Sequence, residues 1–384
     1  MLNYEFPPIG GGAGNAHLCL LRQFAGRRDL KVDVLTSAPK TCLPSGKGGL
    51  LKERFSENIM IYKVGLHKKD LHFWRRAEVI EWLAKAGVHY RRLLRENQYD
   101  LVHAFFGFPT GWLCYRSAGK VPYVISLRGS DVPGRHARLK LDYKVLGPLV
   151  FRRIWESAAA LVACSEGLRK RALAFLPTVA IEVIPNGVDL ERFYPADGKS
   201  WGLGKQLIRL LTVGRLSITK RVEILIEAVD ILSKDGYDVH LAIVGGGALE
   251  GQLKSIVAER NLGEVVETAG RIEPEDMPRI YRENDIFVSA SMQEGMSNAM
   301  LEAMASGLPI VTTQCEGVDE LIADNGIVVD KPQADEIANV IRRLAENREI
   351  CRRMARASRE RAALFSWSSV ANQYIKCYQA ILGH

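Results

Sequence analysis

Two glutamates stand eight positions apart around the predicted start of a helix. Glu294 follows the strand candidate Ile286–Ser289, and Glu302 falls two turns into a helical pattern over about Met296–Ser306. With a rise of about 1.5 Å per residue, their backbones would lie roughly 12 Å apart. Carboxyl groups that act together in glycoside hydrolysis lie about 5–9.5 Å apart, so this pair favours holding hydroxyl groups on either side of an anion. The alternative is a helix cap with one inward glutamate, which would leave Glu302 among apolar residues in need of a partner.

Two cations, Arg215 and Lys220, lie five positions apart after the strand candidate Ile208–Val213. An arginine can bind two phosphate oxygens at once, and a lysine adds a compact positive charge. Such a pair would neutralise a diphosphate. Two cations in one loop are also common on protein surfaces, so the spacing alone leaves both interpretations open.

Three turns that contain glycine follow strand candidates, namely Gly10–Gly12, Gly245–Gly247 and Gly270 with Arg271 and Ile272. Glycine lets backbone amides approach a ligand closely, and the first turn precedes an apolar helical stretch whose N-terminus would favour an anion. That first turn lacks the spacing of the dinucleotide-binding fingerprint, so a tight strand–helix turn explains it equally well.

The elements around these turns alternate between short β-rich runs and helical patterns, which predicts parallel sheets covered by helices on both faces. The strand candidates are Met1–Phe6, Lys31–Ser37, Tyr99–Ala104, Tyr123–Leu127, Ala159–Ala163, Ile181–Ile184, Ile208–Val213, Val239–Val244, Val265–Thr268, Ile286–Ser289, Pro309–Thr313 and Gly326–Val329. A stretch rich in proline and glycine, Pro185–Gly204, predicts an interdomain hinge. A cleft between two such domains is the expected ligand site, because loops at the carboxyl ends of both sheets converge there.

The bulk composition is that of an ordinary globular protein. Its 384 residues are 47% hydrophobic and 25% charged, which is enough for two domains. Seven scattered cysteines without a CxxC pair predict neither a disulfide framework nor a zinc site. No apolar run approaches the roughly 20 residues that span a bilayer, and the chain start does not resemble a signal peptide. We therefore expect a cytoplasmic protein.

Positive charge is concentrated in the first half of the chain. Residues 1–190 hold 29 Lys and Arg against 16 Asp and Glu, whereas residues 191–384 hold 23 against 28. Cations alternate with aromatic residues over Lys68–Arg76, and both continue at Trp82, Tyr90, Arg91, Arg92 and Arg95. This pattern predicts peripheral contact with the anionic cytoplasmic face of a membrane. A solvated helix with its aromatic side chains in the core is an equally good interpretation, and no nucleic-acid-binding motif accompanies the charge.

Taken in order, these motifs resemble the retaining nucleotide-sugar glycosyltransferases of family 4, which have the GT-B fold. The resemblance extends over essentially the whole chain, and it rests on the order of the motifs rather than on any one of them. The matching segments are Gly10–Gly12, Val183–Asp189 with Phe193, Val213–Leu216 with Lys220, Val244–Gly247, Gly270–Ile272, Glu294-Gly295 with the E-x7-E spacing, and Glu302–Pro309.

For the fold, the resemblance implies two Rossmann-like α/β domains that face a central cleft. Residues 1–190 would bind the acceptor, residues 191–366 the donor nucleotide, and a helix over 367–384 would cross back to the first domain. For the activity, it implies transfer of a sugar from a UDP- or GDP-sugar to a hydroxyl of a glycan or lipid-linked acceptor. The setting would be cell-surface polysaccharide, lipopolysaccharide or glycolipid synthesis of bacterial type. No cofactor is implied, and the lack of a DxD triplet in the sequence agrees with a metal-independent reaction.

For the site, the resemblance implies that Arg215 and Lys220 neutralise the donor diphosphate and that Glu294 contacts the donor sugar. These three are the candidate catalytic residues. Glu302 would hold the ribose, and the backbone around Ile272 would meet the base. The candidate donor-binding residues are Gly11, Gly12, Arg128, Gly245, Arg271, Ile272, Gly295, Met296, Ser297, Asn298, Ala299 and Glu302.

One position departs from the family pattern. Family 4 enzymes often have an H-G-x-D stretch after the strand that corresponds to Tyr123–Leu127, and this chain has Arg128-Gly129-Ser130-Asp131. Arginine cannot act as a base, although it can hydrogen-bond a sugar hydroxyl or a phosphate, and the histidine's role is not transferred to His103 or His136. A catalytically inactive sugar-nucleotide-binding subunit, and an epimerase or phosphorylase on the same fold, are the alternatives.

Overall fold

The computed structural model describes residues 1–43, 49–71, 73–134, 147–196 and 207–383. The chain folds into two compact units, one of residues 1–187 together with the C-terminal helix from Trp367, and one of residues 188–366. The division after Gly187 falls inside the predicted hinge, whose residues 197–204 lie outside the described residues, as do His72 and His136.

The strands and helices have the following bounds. The strands are β1 (Val32–Pro39), β2 (Leu50–Arg54), β3 (Ile59–Leu66), β4 (Val102–Phe105), β5 (Tyr123–Leu127), β6 (Ala160–Ala163), β7 (Ile181–Val183), β8 (Ile208–Val213), β9 (Val239–Val244), β10 (Val266–Gly270), β11 (Ile286–Ser289), β12 (Ile310–Thr313) and β13 (Gly326–Val329). The helices are α1 (Gly12–Phe24), α2 (Arg76–Glu96), α3 (Thr110–Tyr115), α4 (Gly147–Glu156), α5 (Glu166–Phe175), α6 (Val222–Lys234), α7 (Glu250–Glu259), α8 (Met277–Glu283), α9 (Asn298–Ala305), α10 (Val318–Leu321), α11 (Ala334–Glu346), α12 (Arg348–Ala362) and α13 (Trp367–Leu382). None of the helices in the described ranges combines the length and the hydropathy that a membrane-spanning helix needs.

In the first unit, strands lie on both sides of the chain start. β4 to β7 form a parallel sheet. In a second group of strands, β3 pairs in parallel with β1 and antiparallel with β2. Leu2 joins the two groups, because it bridges Leu35 of β1 and Ala104 of β4. The predicted strand Met1–Phe6 is thus reduced to the bridge at Leu2, since the Asn3 side chain accepts the N–H of Glu5 (3.0 Å) and turns the chain. β2 and β3 are additional to the strand candidates.

The second unit contains a six-stranded parallel sheet in the order β10-β9-β8-β11-β12-β13. Apolar residues of α6, α7 and α11 are buried with those of the sheet and form the core. The strand order reverses between β8 and β11, and ligands of open parallel sheets bind at the carboxyl ends of the strands at such a switch point. The α/β architecture with parallel sheets in two domains is confirmed.

The C-terminal helix α13 is part of the first unit. The hydroxyl of Tyr378 lies 2.6 Å from His103 Nδ1, and that of Tyr374 lies 2.9 Å from Ser126 Oγ. Phe24 of α1 packs against the Tyr378 ring, with the centroids 6.4 Å apart. α13 therefore closes the first unit over the sheet strands that carry His103 and Ser126.

Gly187 packs against the ring of Trp367 at the start of α13. A Cβ at Gly187 would lie 2.6 Å from Trp367 Cδ2. We expect Gly187→Ala to lower the free energy of unfolding by about 1–3 kcal/mol, because the added methyl group overpacks this contact. Urea unfolding followed by tryptophan fluorescence measures the change. Gly119→Ala is the matched control, since a Cβ there meets no atom within 4 Å, and an equal effect of the two substitutions would contradict the packing explanation.

Candidate functional site

The loops that follow β8 and β11 meet at the switch point of the second unit. The loop after β8 carries Arg215 and ends in a short 3₁₀ segment with Lys220, and the loop after β11 carries Glu294. Lys220 Nζ and Glu294 Oε1 form an ion pair whose side chains are only 22% and 16% exposed. Partial removal from water strengthens the attraction between opposite charges, so this pair holds the two loops together.

Two further contacts position these loops. The Met292 N–H donates to the Thr219 carbonyl (2.8 Å), and Arg221 Nε donates to the Ala290 carbonyl (2.9 Å). Arg221 has a φ of 47°, a left-handed conformation that costs energy in a non-glycine residue. Burial lowers the pKa of Arg221. Arg221, the strained residue directly after Lys220, is thus held in place by the loop that carries Glu294.

The glycine run after β9 allows close packing between loop backbones. A Cβ at Gly245 would lie 1.9 Å from the carbonyl oxygen of Gly214, and one at Gly247 would lie 2.2 Å from that of Leu216. Gly245 also has a φ of 135°. The Leu216 N–H donates to the Gly246 carbonyl (3.1 Å). Gly245 therefore supports the loop that carries Arg215, whatever ligand the loop binds.

Two exposed guanidinium groups border the switch point. Arg215 is exposed and has no hydrogen-bond or ion-pair partner within the described ranges. The Arg271 side chain packs against Gly246, because a Cβ added to Gly246 would lie 2.9 Å from Arg271 Nε. Ile272, the next residue in the chain, is partly buried. Together with Lys220 they give this edge of the sheet a positive character.

The helix that follows β11 begins later than predicted. α9 begins at Asn298 rather than at Met296, because the Ser297 hydroxyl accepts the Met300 N–H (3.3 Å) and caps the helix. Gly295, Met296 and Ser297 therefore lie in the loop before the helix, and Ala299 lies in its first turn. Met296 and Ser297 are 6% and 8% exposed. The positive end of the helix dipole still faces this loop.

Glu302 has the partner that its surroundings require. The fully buried Tyr281 of α8 donates its hydroxyl to Glu302 Oε2 (2.8 Å). Burial raises the pKa of Glu302 to about 7, and the Tyr281 hydrogen bond and the charge of Arg192 oppose that rise. Within the described part of the chain Glu302 Oε1 accepts no hydrogen bond, which leaves it for a ligand.

The first unit has a separate group of candidate residues at the start of α1. Gly11 is the N-cap residue of α1 and has no side chain to serve as a cap, and the helix begins at Gly12. Gly10 has a φ of 103°, and its N–H donates to the Leu71 carbonyl (2.7 Å). Gly11 and Gly12 thus lie at a helix N-terminus, where the dipole favours an anion.

Arg128 lies at the end of β5. Its guanidinium is 5.5 Å from the centroid of the Phe105 ring and donates to Asn186 Oδ1 (2.8 Å). The Asp131 carboxylate accepts the backbone N–H of Arg128 (2.9 Å) and that of Gly107 (2.6 Å). Asp131 therefore ties the ends of β4 and β5 together, and burial raises its pKa.

Apart from Phe73, the aromatic residues named in the basic segment, which comprises Lys68–Arg76 and the following helix α2, do not face solvent. Trp74, Trp82 and Tyr90 are 2%, 0% and 6% exposed, which corrects the interpretation that they contact a membrane. α2 packs this face against β1 and β3. Lys68 is also buried, in an ion pair with Glu78 (2.7 Å). The apolar and basic residues that are exposed instead are Leu71, Phe73, Ile80, Val88, Lys69, Arg75, Arg76, Arg91, Arg92 and Arg95.

Two site residues were not among the candidates. Tyr281 orients Glu302 from 21 positions away, and nothing in the local pattern relates the two. Asn186, which holds Arg128, lies in the matched Pro185-Asn186-Gly187 motif, so its position in the family pattern was an available signal. In the part of the chain that the structure describes, no three His, Cys, Asp or Glu side chains are grouped to hold a metal ion.

Two family models match most of the chain. The model described as Glycosyltransferase Family 4 matches residues 10–192, and the model described as Glycosyl transferases group 1 matches residues 195–361. The chain belongs to glycosyltransferase family 4. Each of the two units of this glycosyltransferase thus corresponds to a family model of its own.

Individual relatives agree with this assignment. The glycosyltransferase is 25% identical to an uncharacterized glycosyltransferase of Methanocaldococcus jannaschii, over 86% of this chain and 87% of the relative. It is 27% identical to the GDP-mannose-dependent alpha-(1-6)-phosphatidylinositol monomannoside mannosyltransferase of Mycobacterium tuberculosis, over 74% of this chain and 77% of the relative. The solved structure of sucrose-phosphate synthase from Thermosynechococcus elongatus matches with a TM-score of 0.81 at 22% identity, over 100% of this chain and 98% of that one. The fold is therefore GT-B.

We expect Glu302 to make the stability of the enzyme fall as the pH rises. A carboxyl group whose pKa rises from 4.5 to about 7 on folding binds more protons in the folded state, so ionising it between these values costs stability. The free energy of unfolding of Glu302→Gln minus that of the wild type should therefore increase by about 1–3 kcal/mol as the pH is raised from about 5 to about 7.5.

Urea unfolding at both pH values measures this gain. Glu346→Gln is the matched control, because Glu346 Oε1 accepts the hydroxyl of Tyr237 (2.6 Å) at the surface. A difference between Glu302→Gln and the wild type that does not change with pH would show that Glu302 ionises freely in the folded protein.

Proposed function

We propose that this glycosyltransferase is a retaining enzyme that moves a sugar from a UDP- or GDP-sugar to a hydroxyl of a glycan or lipid-linked acceptor. The process it serves would be cell-surface polysaccharide, lipopolysaccharide or glycolipid synthesis. The observation that carries the proposal is the Lys220–Glu294 ion pair at the switch point of the second unit. The name of the Mycobacterium tuberculosis relative, which specifies a nucleotide-sugar donor and a lipid acceptor, supports both halves of it.

The cations at the switch point suit a diphosphate. Lys220 has three N–H donors and gives one to Glu294, while the Arg215 guanidinium has five and gives none within the described ranges. The N-terminus of α9 adds the positive end of a helix dipole. These groups would stabilise the negative charge that develops on the departing nucleoside diphosphate.

The two glutamates suit the neutral parts of the donor. Lys220 holds Glu294 Oε1, so Glu294 Oε2 is the oxygen that would accept a hydroxyl of the donor sugar. Tyr281 holds Glu302 Oε2, so Glu302 Oε1 would accept a ribose hydroxyl. Each carboxylate is thereby oriented by one protein group before the donor arrives, which reduces the cost of ordering the site.

The proposed reaction needs no protein base. The bond between the anomeric carbon and the diphosphate oxygen breaks while the acceptor oxygen bonds to the anomeric carbon from the same face. The acceptor proton passes to the departing diphosphate oxygen, and the anomeric configuration is retained. Arg215 and Lys220 supply the positive charge that a metal ion would otherwise provide.

We expect Lys220→Met and Glu294→Gln each to lower kcat/KM for the donor by about 100- to 1000-fold, the loss typical when one group that stabilises developing charge is removed. A screen of UDP- and GDP-sugars by thermal shift and nucleotide release identifies the donor and measures the change. Proton NMR of the product reports whether the anomeric configuration is retained.

Lys234→Met is the matched control, because Lys234 pairs with Asp230 (2.9 Å) on α6, outside the two loops. Wild-type turnover in Lys220→Met and Glu294→Gln would contradict the site. Inversion of the anomeric centre would contradict the proposed mechanism while leaving the site intact.

The outer surface of α2 supports a second part of the proposal, namely that the enzyme docks on the anionic cytoplasmic face of a membrane. Ile80 and Val88 are 66% and 56% exposed and lie two helical turns apart on one side of α2, and Phe73 before the helix is 53% exposed. Exposed arginines of α2 flank them at Arg76 and Arg91. An apolar stripe bordered by cations is the pattern of an interfacial helix that meets anionic lipid.

We expect the double variant Ile80→Ser, Val88→Ser to bind vesicles that contain anionic lipid at least about 10-fold more weakly than the wild type, since each substitution removes apolar area from the lipid contact. Sedimentation with vesicles at physiological salt measures binding. Leu364→Ser is the control, because Leu364 is 66% exposed but lies in the second unit. Failure of the wild type to sediment with these vesicles would rule out the membrane contact.

A further inference from the structure

The carboxyl group of Glu302 lies between the interior of the second unit and solvent. Glu302 is partly buried, and its Oε2 accepts the hydroxyl of Tyr281 (2.8 Å). Tyr281 is fully buried, and its ring lies 5.6 Å from that of Phe193 and 6.5 Å from that of Phe287, measured between centroids. The packed ring therefore holds the hydroxyl at Glu302.

The Tyr281 hydroxyl is the donor in this hydrogen bond. Glu302 is its one hydrogen-bond partner within the described residues, and a buried hydroxyl hydrogen without an acceptor loses the hydrogen bond that it makes in water. Because Oε2 accepts, a proton that binds to Glu302 is carried by Oε1. The proposed function assigns a ribose hydroxyl to that same atom, so the proton and the ribose compete for one oxygen.

Burial and the neighbouring groups act on the charge of Glu302 in opposite directions. Burial raises the pKa of Glu302 to about 7, and the Tyr281 hydrogen bond and the charge of Arg192 oppose the rise. Arg192 is partly buried, and its guanidinium donates to the Pro274 carbonyl and lies 5.5 Å from the centroid of the Phe193 ring. The protonated and the ionised form of Glu302 are therefore both populated near neutral pH.

The other charged groups of the surrounding elements are engaged elsewhere or exposed. α9 packs against α8, α12 and β12, and β12 has no titratable side chain. α12 meets α9 through Arg359, which donates to the Ala305 carbonyl (2.9 Å). The charged residues of α8 have partners of their own, namely Arg279 with Glu283 (2.7 Å) and Arg282 with the ring of Tyr194 (4.6 Å). Water and salt screen the exposed charges in the loop before α8, which are those of Arg271, Glu273, Glu275 and Asp276.

We infer that binding of the nucleotide donor displaces a proton from Glu302, and that Tyr281 and Arg192 are positioning residues that favour the carboxylate form. The inference rests on the proposed function, which places a ribose hydroxyl on Glu302 Oε1. The ribose hydroxyl donates to the carboxylate oxygen, and the displaced proton passes to the solvent. A hydrogen bond to an ionised acceptor is stronger than one to a neutral acceptor. The affinity for the donor therefore rises with pH until Glu302 is ionised in the free enzyme.

The test compares nucleotide affinity with and without the carboxylate across a range of pH. UDP and GDP are titrated by calorimetry into the whole chain and into Glu302→Gln, from about pH 5.5 to about pH 9, a range that spans the ionisation of Glu302. For the nucleotide that binds, we expect the Kd of Glu302→Gln divided by that of the wild type to rise about 10- to 30-fold and to level off above about pH 7.5. Ionisation of the nucleotide itself affects both proteins equally and cancels in this ratio. Glu302→Ala gives the same reference if Glu302→Gln folds poorly.

Tyr281→Phe assigns the effect to the hydroxyl group, because the substitution removes one oxygen atom and keeps the ring. The pH at which the ratio levels off should move upward by about one unit, since the carboxylate loses a hydrogen bond. Above that pH the affinity should stay within about 3-fold of the wild type, because the carboxylate is then ionised in both proteins. Tyr237→Phe is the matched control, since the Tyr237 hydroxyl also donates to a glutamate, Glu346 (2.6 Å), but at the surface.

Arg192→Gln removes the cation that favours the ionised form. The pH at which the ratio levels off should again move upward, by about half a unit, and Arg192→Lys should restore it because lysine retains the charge. Arg282→Gln is the matched control, because Arg282 also lies over an aromatic ring of the second unit, 4.6 Å from the centroid of Tyr194.

A ratio that does not change with pH would overturn the inference, since the donor would then bind both forms of Glu302 equally well. An equal loss of affinity at every pH in Tyr281→Phe or Arg192→Gln would show that the residue supports the fold, and would overturn its positioning role. Nucleotide binding that is weakened by Lys220→Met would leave the proposed function standing in either case. Failure of both UDP and GDP to bind the wild type at any pH would overturn the proposed function as well.

Discussion

The ion pair between Lys220 and Glu294 is the interaction on which the candidate site of the second unit depends. β8 and β11 are neighbours in the sheet although two strands separate them in the sequence, so their loops meet at the switch point. Each loop brings one charge, and both charges are largely removed from water. Separating them would leave two poorly solvated ions, which costs more than an exposed pair would. The pairing therefore fixes both loops before any ligand binds.

Backbone packing supports this arrangement from below. The loop after β8 is pressed so closely against the loop after β9 that only glycine fits at Gly245 and Gly247. A buried tyrosine, Tyr281, holds Glu302 from a third element. Charge, close packing and one buried hydrogen bond thus set the positions of the side chains that the proposed function uses. Such preorganisation is what electrostatic catalysis requires.

The parts that sequence reasoning found are those encoded by local pattern. The strand bounds of β8, β9 and β11 were predicted as observed, because each is a short apolar run bounded by polar residues or glycine. The predicted start of α9 was wrong by two residues. The Ser297 hydroxyl caps the helix at Asn298, and hydrophobic periodicity does not reveal a capping residue. Periodicity also shows which residues share a face of α2 but not which face is buried. The sequence therefore left open whether Trp82 and Tyr90 face a membrane or the core, and the structure places both in the core. The sequence could not predict Tyr281 as the hydrogen-bond partner of Glu302, because Tyr281 belongs to another helix.

The central claim is that a nucleoside diphosphate lies at the switch point of the second unit. A crystal structure of the enzyme with UDP or GDP tests it most directly. The account predicts that the distal phosphate lies within hydrogen-bonding distance of Lys220 Nζ or the Arg215 guanidinium, with the ribose on Glu302 Oε1. A nucleotide bound elsewhere, with the Lys220–Glu294 pair unchanged and out of contact, would contradict it.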